Sequence, residues 1–270
     1  MGSNLAQIFR IRKMLRRIKY PDSLRISREI VKFLEGNKSK KEEDILKRLY
    51  KNEPWEYVCG IADFCGMDFI VNTHTLIPRI ETEKVVSDSL EIIKELDIKN
   101  IIDVGTGSGC IIISIAKELK TDKLYSMHGI DISKRALKIA RKNEKKLLEK
   151  KRIKWISSDL IKKLPRVKGS TLLIANLPYI PTQEYEKLDD SVKKYEPKLA
   201  LDGGENGLDM YKRLFKQIEE KKLLLKAMYL ETDERTFEDT LSLIKKHFPK
   251  AEVNKFKDCF DKYRFIKVLF

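Results

Sequence analysis

The run Asp103-Val104-Gly105-Thr106-Gly107-Ser108-Gly109 has the residue types to bring a backbone close to a bound ligand. Glycines at alternate positions tolerate backbone that other residues resist. A helix start behind them offers free N–H groups. The pattern G-x-G-x-G is not the G-x-G-x-x-G of a dinucleotide fingerprint, so no pyrophosphate is required. Asp131 follows 22 residues beyond Gly109, in Gly129-Ile130-Asp131, where a carboxylate can accept both hydroxyls of a ribose. Asp159, after Ser158, can accept from an adenine amino group. Asp103, just before the glycines, can accept from an ammonium directly or through water. Each acid alone is more often a helix N-cap. Together they describe a ligand with a ribose, an adenine and a cationic amino-acid end, which is S-adenosylmethionine.

A second cluster, Asn176-Leu177-Pro178-Tyr179, suits methylation of a planar nitrogen. The lone pair of an amide or exocyclic amine is delocalised and attacks a sulfonium methyl poorly. Two acceptors that hold its N–H groups can aim that lone pair, and the Asn176 side-chain carbonyl and the Leu177 main-chain carbonyl are such acceptors. Pro178 fixes the backbone, and Tyr179 offers a face for a flat substrate. No strong base is needed, because the methylated nitrogen sheds its proton readily. The catalysis is positioning and electrostatics.

These residues need elements that bring them to one edge. Apolar runs at Ile101–Val104, Leu124–Ile130, Ile153–Ile156, Leu172–Ala175 and Leu223–Leu230 read as buried strands. Helices are expected at 81–96, from the glycine loop to Leu119, and at 133–149, 207–221 and 234–247. Alternating strands and helices predict a parallel α/β sheet. The runs at 252–257 and 263–269 leave no room for a crossover helix, so the sheet should end antiparallel. The fold class is thus a Rossmann-like sheet with an antiparallel last strand. Ahead of it, apolar residues at helical spacing predict helices at 4–20 and 23–35, the second stopped at Gly36-Asn37. Ser39-Lys40-Lys41-Glu42 reads as a capping box opening a third helix through Tyr50. Glu56-Tyr57-Val58 and Met67–Val71, around Gly60 and Gly66, read as the strands of a linking β-hairpin. The expected division is residues 1–52 for a helical bundle, 53–75 for the hairpin linker and 76–270 for the catalytic domain.

The 270 residues carry 56 Lys+Arg against 41 Asp+Glu, a net charge of +15 that is unevenly spread. Residues 1–50 hold 14 basic and 6 acidic groups, and residues 134–154 hold 11 and 2, so two basic faces are expected. They suit either an RNA-associated partner or plain helix solvation. No stretch reaches the roughly 18 to 20 apolar residues of a membrane span. The opening Met1-Gly2-Ser3-Asn4 lacks the apolar core of a secretory signal and reads as a tag remnant. Cys59, Cys65, Cys110 and Cys259 form no C-x-x-C pair, and His74, His128 and His247 sit at no ligand spacing from them. The cysteines fit a reducing cytoplasm, no metal site is expected, and a monomer is the default.

With these residues in view, the chain resembles class I S-adenosylmethionine-dependent methyltransferases that modify planar nitrogens. Ile77-Pro78-Arg79-Ile80-Glu81-Thr82-Glu83 resembles the I-P-R-P-E-T-E signature of the release factor glutamine methyltransferases. Residues 196–209, from Glu196-Pro197 through Gly203-Gly204 to Asp209, resemble that family's E-P-x-x-A-L-x-G-G-x-x-G-L-x run. The resemblance covers Trp55 to Phe270 and implies a seven-stranded methyltransferase sheet. It also implies a small N-terminal helical domain that binds the release factor. The implied reaction methylates N5 of the glutamine in the factor's Gly-Gly-Gln motif. Carried over, Gly105 to Gly109, Asp131, Asp159, Leu160 and Asn176 contact the cofactor, Asn176 through Tyr179 grip the glutamine amide, and Arg79 joins the substrate side. The family usually has Pro at the place of Leu177 and at Ile80, and Ile-Gly at the place of Thr232-Asp233. Asn-Leu-Pro-Tyr also occurs in ribosomal RNA adenine dimethyltransferases, so an adenine N6 methyltransferase acting on RNA or DNA stands as the alternative. A non-catalytic module that binds a translation factor is a third reading.

Overall fold

The near-continuous apolar runs that read as buried strands form the centre of a seven-stranded sheet in the computed structural model, which describes residues 2–119 and 125–270. The strands are β3 (Asn100–Val104), β4 (Ser126–Asp131), β5 (Ile153–Ser157), β6 (Thr171–Asn176), β7 (Ala227–Glu231), β8 (Glu252–Lys257) and β9 (Tyr263–Leu269), preceded by β1 and β2 of the hairpin below. Their order is β5-β4-β3-β6-β7-β9-β8. The first five run parallel, and β9 lies antiparallel between β7 and β8. The strand order therefore reverses between β3 and β6, where open α/β sheets leave a crevice at the carboxyl ends.

Strand periodicity of two sorts the core into two layers. Ile101, Leu172, Ile174 and Tyr229 face one way, onto α5 (Glu83–Glu95) and α6 (Cys110–Glu118). Ile102, Val104, Leu173, Ala175 and Leu230 face the other, onto α10 (Asp209–Glu220) and α11 (Phe237–His247). Helix α7 (Lys134–Leu147) follows β4, with the Ser133 hydroxyl accepting from the Ala136 N–H as its cap. Two short helices, α8 (Thr182–Tyr185) and α9 (Asp190–Tyr195), were not expected. They are too short to show a period in the sequence.

The N-terminal helices are α1 (Gly2–Arg17), α2 (Ser23–Gly36) and α3 (Glu42–Leu49), packed around Ile11, Leu15, Ile30, Leu49 and Trp55. The capping box expected from Ser39 does not form. Lys41 precedes the helix with no side-chain cap, and the Glu42 carboxylate instead accepts from Gln7 and Arg10 of α1, each at 2.8 Å. Glu42, Glu43 and Asp44 favour the first turn through the helix dipole. Glu56-Tyr57-Val58 is a second correction: it lies in the short helix α4 (Trp55–Cys59), not in a strand. Pro54 presets the entry and Gly60 closes the helix at φ 79°, local signals that outweigh the β preference of Tyr and Val. The hairpin is instead β1 (Ile61–Phe64) and β2 (Met67–Ile70), joined by Cys65 and Gly66, both at positive φ. Strand β7 begins at Ala227 rather than Leu223, because Lys222 at φ 49° and a bond from the Leu223 N–H to the Ile218 carbonyl finish α10 there. The expected strand start at Leu124 falls outside the described residues. Among those described, no helix is long and apolar enough to cross a membrane.

One buried side chain ties hairpin, helix and glycine loop together. Asn143 of α7 is fully buried; it accepts from the Ile70 N–H at 2.7 Å and donates to the Ile70 and Ser108 carbonyls at 3.0 and 2.9 Å. Replacing it with Ala strands these buried groups. Asn143→Ala should lower the unfolding free energy by about 2–4 kcal/mol, read from urea denaturation.

Candidate active site

The chain leaves β3 at Val104 and turns across the end of β4, where the Gly105 and Thr106 N–H groups both bond to the Ile130 carbonyl, at 2.8 and 2.9 Å. Gly105, Gly107 and Gly109 all have positive φ. At Gly105, φ 77°, a Cβ would be strained and would lie 2.9 Å from the tip of the Leu177 side chain, so glycine suits the place where the loop meets the Asn-Leu-Pro-Tyr corner. The loop is divided in its duties. Gly105 and Gly107 line the crevice. Thr106 and Ser108 are buried, and Gly109 packs on Ile113, Trp155 and Ala140. These last three were expected at the cofactor on the strength of the motif; they lie behind the crevice wall.

The three acids stand in different surroundings. Asp131 accepts from the Gly107 N–H at 2.9 Å on one oxygen and from the Ser133 N–H at 2.8 Å on the other, leaving lone pairs on both for a diol. Burial raises its pKa, and those backbone bonds oppose the rise. Asp159 lines the crevice and is gripped by Arg213 of α10, 2.5 Å from both carboxylate oxygens. Leu160 beside it has φ 49°, a backbone that L-residues seldom adopt. Asp103 is 1% exposed and accepts from the Thr106 hydroxyl at 2.5 Å. Desolvation pushes its carboxyl up to about 7.

Asn176, Leu177 and Pro178 close the crevice, whose volume is about 350 Å³, in the range of small-ligand sites. Residues 196–209 back this corner. The Gly203 N–H bonds to the Ile180 carbonyl at 2.8 Å. A Cβ on Gly203 would strike the Pro178 carbonyl at 2.7 Å, and one on Gly207 the Tyr179 carbonyl at 2.3 Å. Arg79 does not line the crevice; its guanidinium pairs at 2.6 Å with Glu196, whose side chain is 2% exposed. The two long sequence signatures are thus bound to each other. Tyr179 is also outside the crevice lining and packs against the cluster of Ile180, Tyr185 and Leu201.

Several residues here were not singled out from sequence. The Tyr211 hydroxyl donates to the Glu231 and Ala175 main-chain carbonyls. Thr82 lies 3.3 Å from the Asn176 amide nitrogen, and Glu231 sits beside Asn176 in the sheet. Arg213 lies on an amphipathic helix whose sequence gives no sign of a carboxylate partner 54 positions away. Only Thr82 carried a signal, through its place in the Ile77–Glu83 segment.

A family model described as a methyltransferase domain matches residues 96–177. The chain is 36% identical over 204 residues to the release factor glutamine methyltransferase of Fusobacterium nucleatum, a match covering 73% of this chain and 56% of that relative. It is 34% identical over 225 residues to the protein of that name from Lactococcus lactis, covering 83% and 80%, and 34% identical over 239 residues to the one from Bacteroides thetaiotaomicron, covering 86% and 82%. The match to the Fusobacterium protein spans little more than half of that relative's length. Among solved structures, the catalytic domain of hMettl16 in complex with the MAT2A 3'UTR hairpin 6 superimposes with a TM-score of 0.58 at 16% identity, over 76% of each chain. That is a likeness of fold.

The desolvated Asp103 gives a test of the site's electrostatics. A carboxyl raised from its ordinary value to about 7 binds its proton more tightly folded than unfolded. Its contribution is fully favourable at acid pH and is lost as pH rises towards and through that value. Asp103→Asn removes the dependence. By calorimetry, the melting temperature of the variant should gain on the wild type progressively from pH 5 to pH 8; a constant difference would contradict the buried-acid account.

Proposed function

The chain belongs to the release factor glutamine methyltransferase family, and from that premise we propose that it methylates the side-chain amide nitrogen, N5, of the glutamine in the Gly-Gly-Gln motif of peptide-chain release factors, using S-adenosylmethionine. The observation that carries the reading is the meeting of the glycine loop with the Asn176-Leu177-Pro178 corner across the Gly105–Leu177 contact.

The residues present fit the cofactor. Asp131 keeps lone pairs on both oxygens for the ribose hydroxyls, and Asp159 with the Leu160 main chain meets the adenine edge, Arg213 holding the carboxylate in place. Asp103 sits behind the loop as a buried acid suited to a cationic amino end. When bound, S-adenosylmethionine supplies an electrophilic sulfonium methyl. The chain's task is to present the nucleophile. Asn176 Oδ1 and the Leu177 carbonyl accept the two amide N–H groups and turn the lone pair towards the methyl. Tyr211 donates to the Ala175 carbonyl just ahead of the corner and so steadies the strand end from which it springs. Pro178 and the close packing of Gly203 hold the turn rigid. The proton leaves the methylated nitrogen without a dedicated base.

We assign residues 1–52 to release-factor binding, residues 53–75 to the linker and residues 76–270 to catalysis, in the cytoplasm. Tyr179 and Arg79 then act on the substrate side by shaping the corner's support. The alternative, an adenine N6 methyltransferase, draws on Leu177 and on the basic segments 1–50 and 134–154.

The deciding assay offers tritiated S-adenosylmethionine with purified release factor and with total RNA in separate tubes. Label should appear on the release factor and vanish when its Gly-Gly-Gln glutamine is changed to alanine; label on RNA alone would favour the adenine reading. Asn176→Ala should lower turnover by at least ~10²-fold, the scale of losing one preorganised polar contact at a reacting centre, while equilibrium binding of the cofactor is largely kept.

A further inference from the structure

The ends of β6 and β7 place a buried acid beside the amide that grips the substrate. Asn176 and Glu231 are register partners in parallel strands, so their side chains leave the sheet on the same side, about 4.8 Å apart at the backbone. Glu231 is 1% exposed, and its Oε2 is buried without a hydrogen-bond partner among the described residues. Thr82, 3% exposed, completes a triangle: its Oγ1 accepts from Asn176 Nδ2 at 3.3 Å, and its own proton must go to an acceptor. Thr82 and Asn176 are among the side chains that oppose the rise in the Glu231 pKa, so both stand close to its carboxylate. A buried carboxylate with this much unused acceptor capacity calls for an explanation.

We propose that Glu231, with Thr82 as relay, is the positioning residue that fixes the amide of Asn176, holding Nδ2 towards the protein so that Oδ1 alone faces the methyl acceptor. The role rests on the function proposed above and deepens it. An asparagine amide is nearly symmetric in shape, and a hydroxyl such as Thr82 accepts or donates with equal ease. Thr82 alone therefore cannot choose between the two amide orientations. The flipped one would point Nδ2, a donor, at the N–H groups of the substrate and repel them. An ionised carboxylate only accepts, so it breaks the tie. Glu231 is not in the crevice lining and lies behind Asn176, which makes it a positioning residue rather than a base.

The same arrangement makes the orientation depend on pH. The groups around Glu231 are Glu81 and Thr82 ahead of α5, Asn176 and Tyr179 from β6 and its loop, Tyr211 from α10, Tyr229 from β7, and Arg264 from β9, itself paired with Asp258 at 2.8 Å. Burial raises the carboxyl to about 7; Glu81 adds to the rise, while Thr82, Arg264 and Asn176 oppose it. Below that pH a protonated Glu231 can donate, and the preference for one orientation is lost.

The test compares kcat at saturating S-adenosylmethionine, from pH 5.5 to 8.5, for wild type, Glu231→Gln, Thr82→Val and Thr82→Ser on release factor. Wild type should show an acid limb with a midpoint near 7. Glu231→Gln should lose roughly 10- to 100-fold in kcat, the scale of losing an outer partner of a functional ligand. Its KM for the cofactor should be unchanged and its acid limb gone. Thr82→Val should lose activity in the same direction, and Thr82→Ser should restore it. An unchanged kcat, a matching loss in cofactor binding, or a retained acid limb in Glu231→Gln would overturn the role. A second readout needs no substrate. The side-chain amide resonances of Asn176, assigned by their disappearance in Asn176→Ala, should titrate near neutrality in wild type and stay fixed in Glu231→Gln. Absence of that titration overturns the positioning role whatever the enzyme methylates, whereas failure of wild type to label release factor strikes only the function it rests on.

Discussion

Parallel pairing of β3 with β4 on one side and β6 on the other is the constraint on which the rest of the site depends. Because the strands share a direction, every functional loop emerges at the same edge. Because the order reverses between β3 and β6, the loops after them separate enough to leave a crevice between helices on opposite faces. The contact of Gly105 with Leu177 is the local expression of that geometry. A Cβ at 105 would press on the tip of the Leu177 side chain and strain a backbone at φ 77°, so glycine is what lets the loop and the corner meet without cost.

The corner is also held from outside the sheet. Arg79 and Glu196 form a tie between the approach to α5 and the segment leading to Gly203. The pair is lopsided, with Glu196 buried and Arg79 more than a third exposed, so losing Arg79 strands a buried carboxylate whereas losing Glu196 leaves a cation that water can still reach. The glycines that follow come within contact of the Pro178 and Tyr179 backbone, so the turn that presents the Leu177 carbonyl is packed on its far side. Two segments more than a hundred residues apart therefore serve one rigid turn.

A common electrostatic state links the acids of the site. Asp103, Asp131 and Glu231 are all desolvated, and each has its carboxyl raised by burial. Such groups weaken the fold when ionised.

Local chemistry in the sequence determined a good deal. Glycine spacing at 105–109, the acid closing β4 and the apolar runs of β3 and β6 were enough to read the sheet, its antiparallel end and the outline of the crevice. They suffice because strand burial and tight turns are written in residues close together in the chain. Errors came where a distant partner decided the outcome, as when Glu42 bonded to α1 rather than capping its own helix, or where local breakers overruled propensity, as Pro54 and Gly60 did around Tyr57. The tertiary structure alone decided that Thr106, Ser108 and Gly109 face inward, that Arg79 answers to Glu196 and Asp159 to Arg213, and that Glu231 stands beside Asn176. The physical reason is that strand register and buried ion pairs are set by the whole sheet closing at once, and no spacing along the chain records which carboxylate will be left facing which amide.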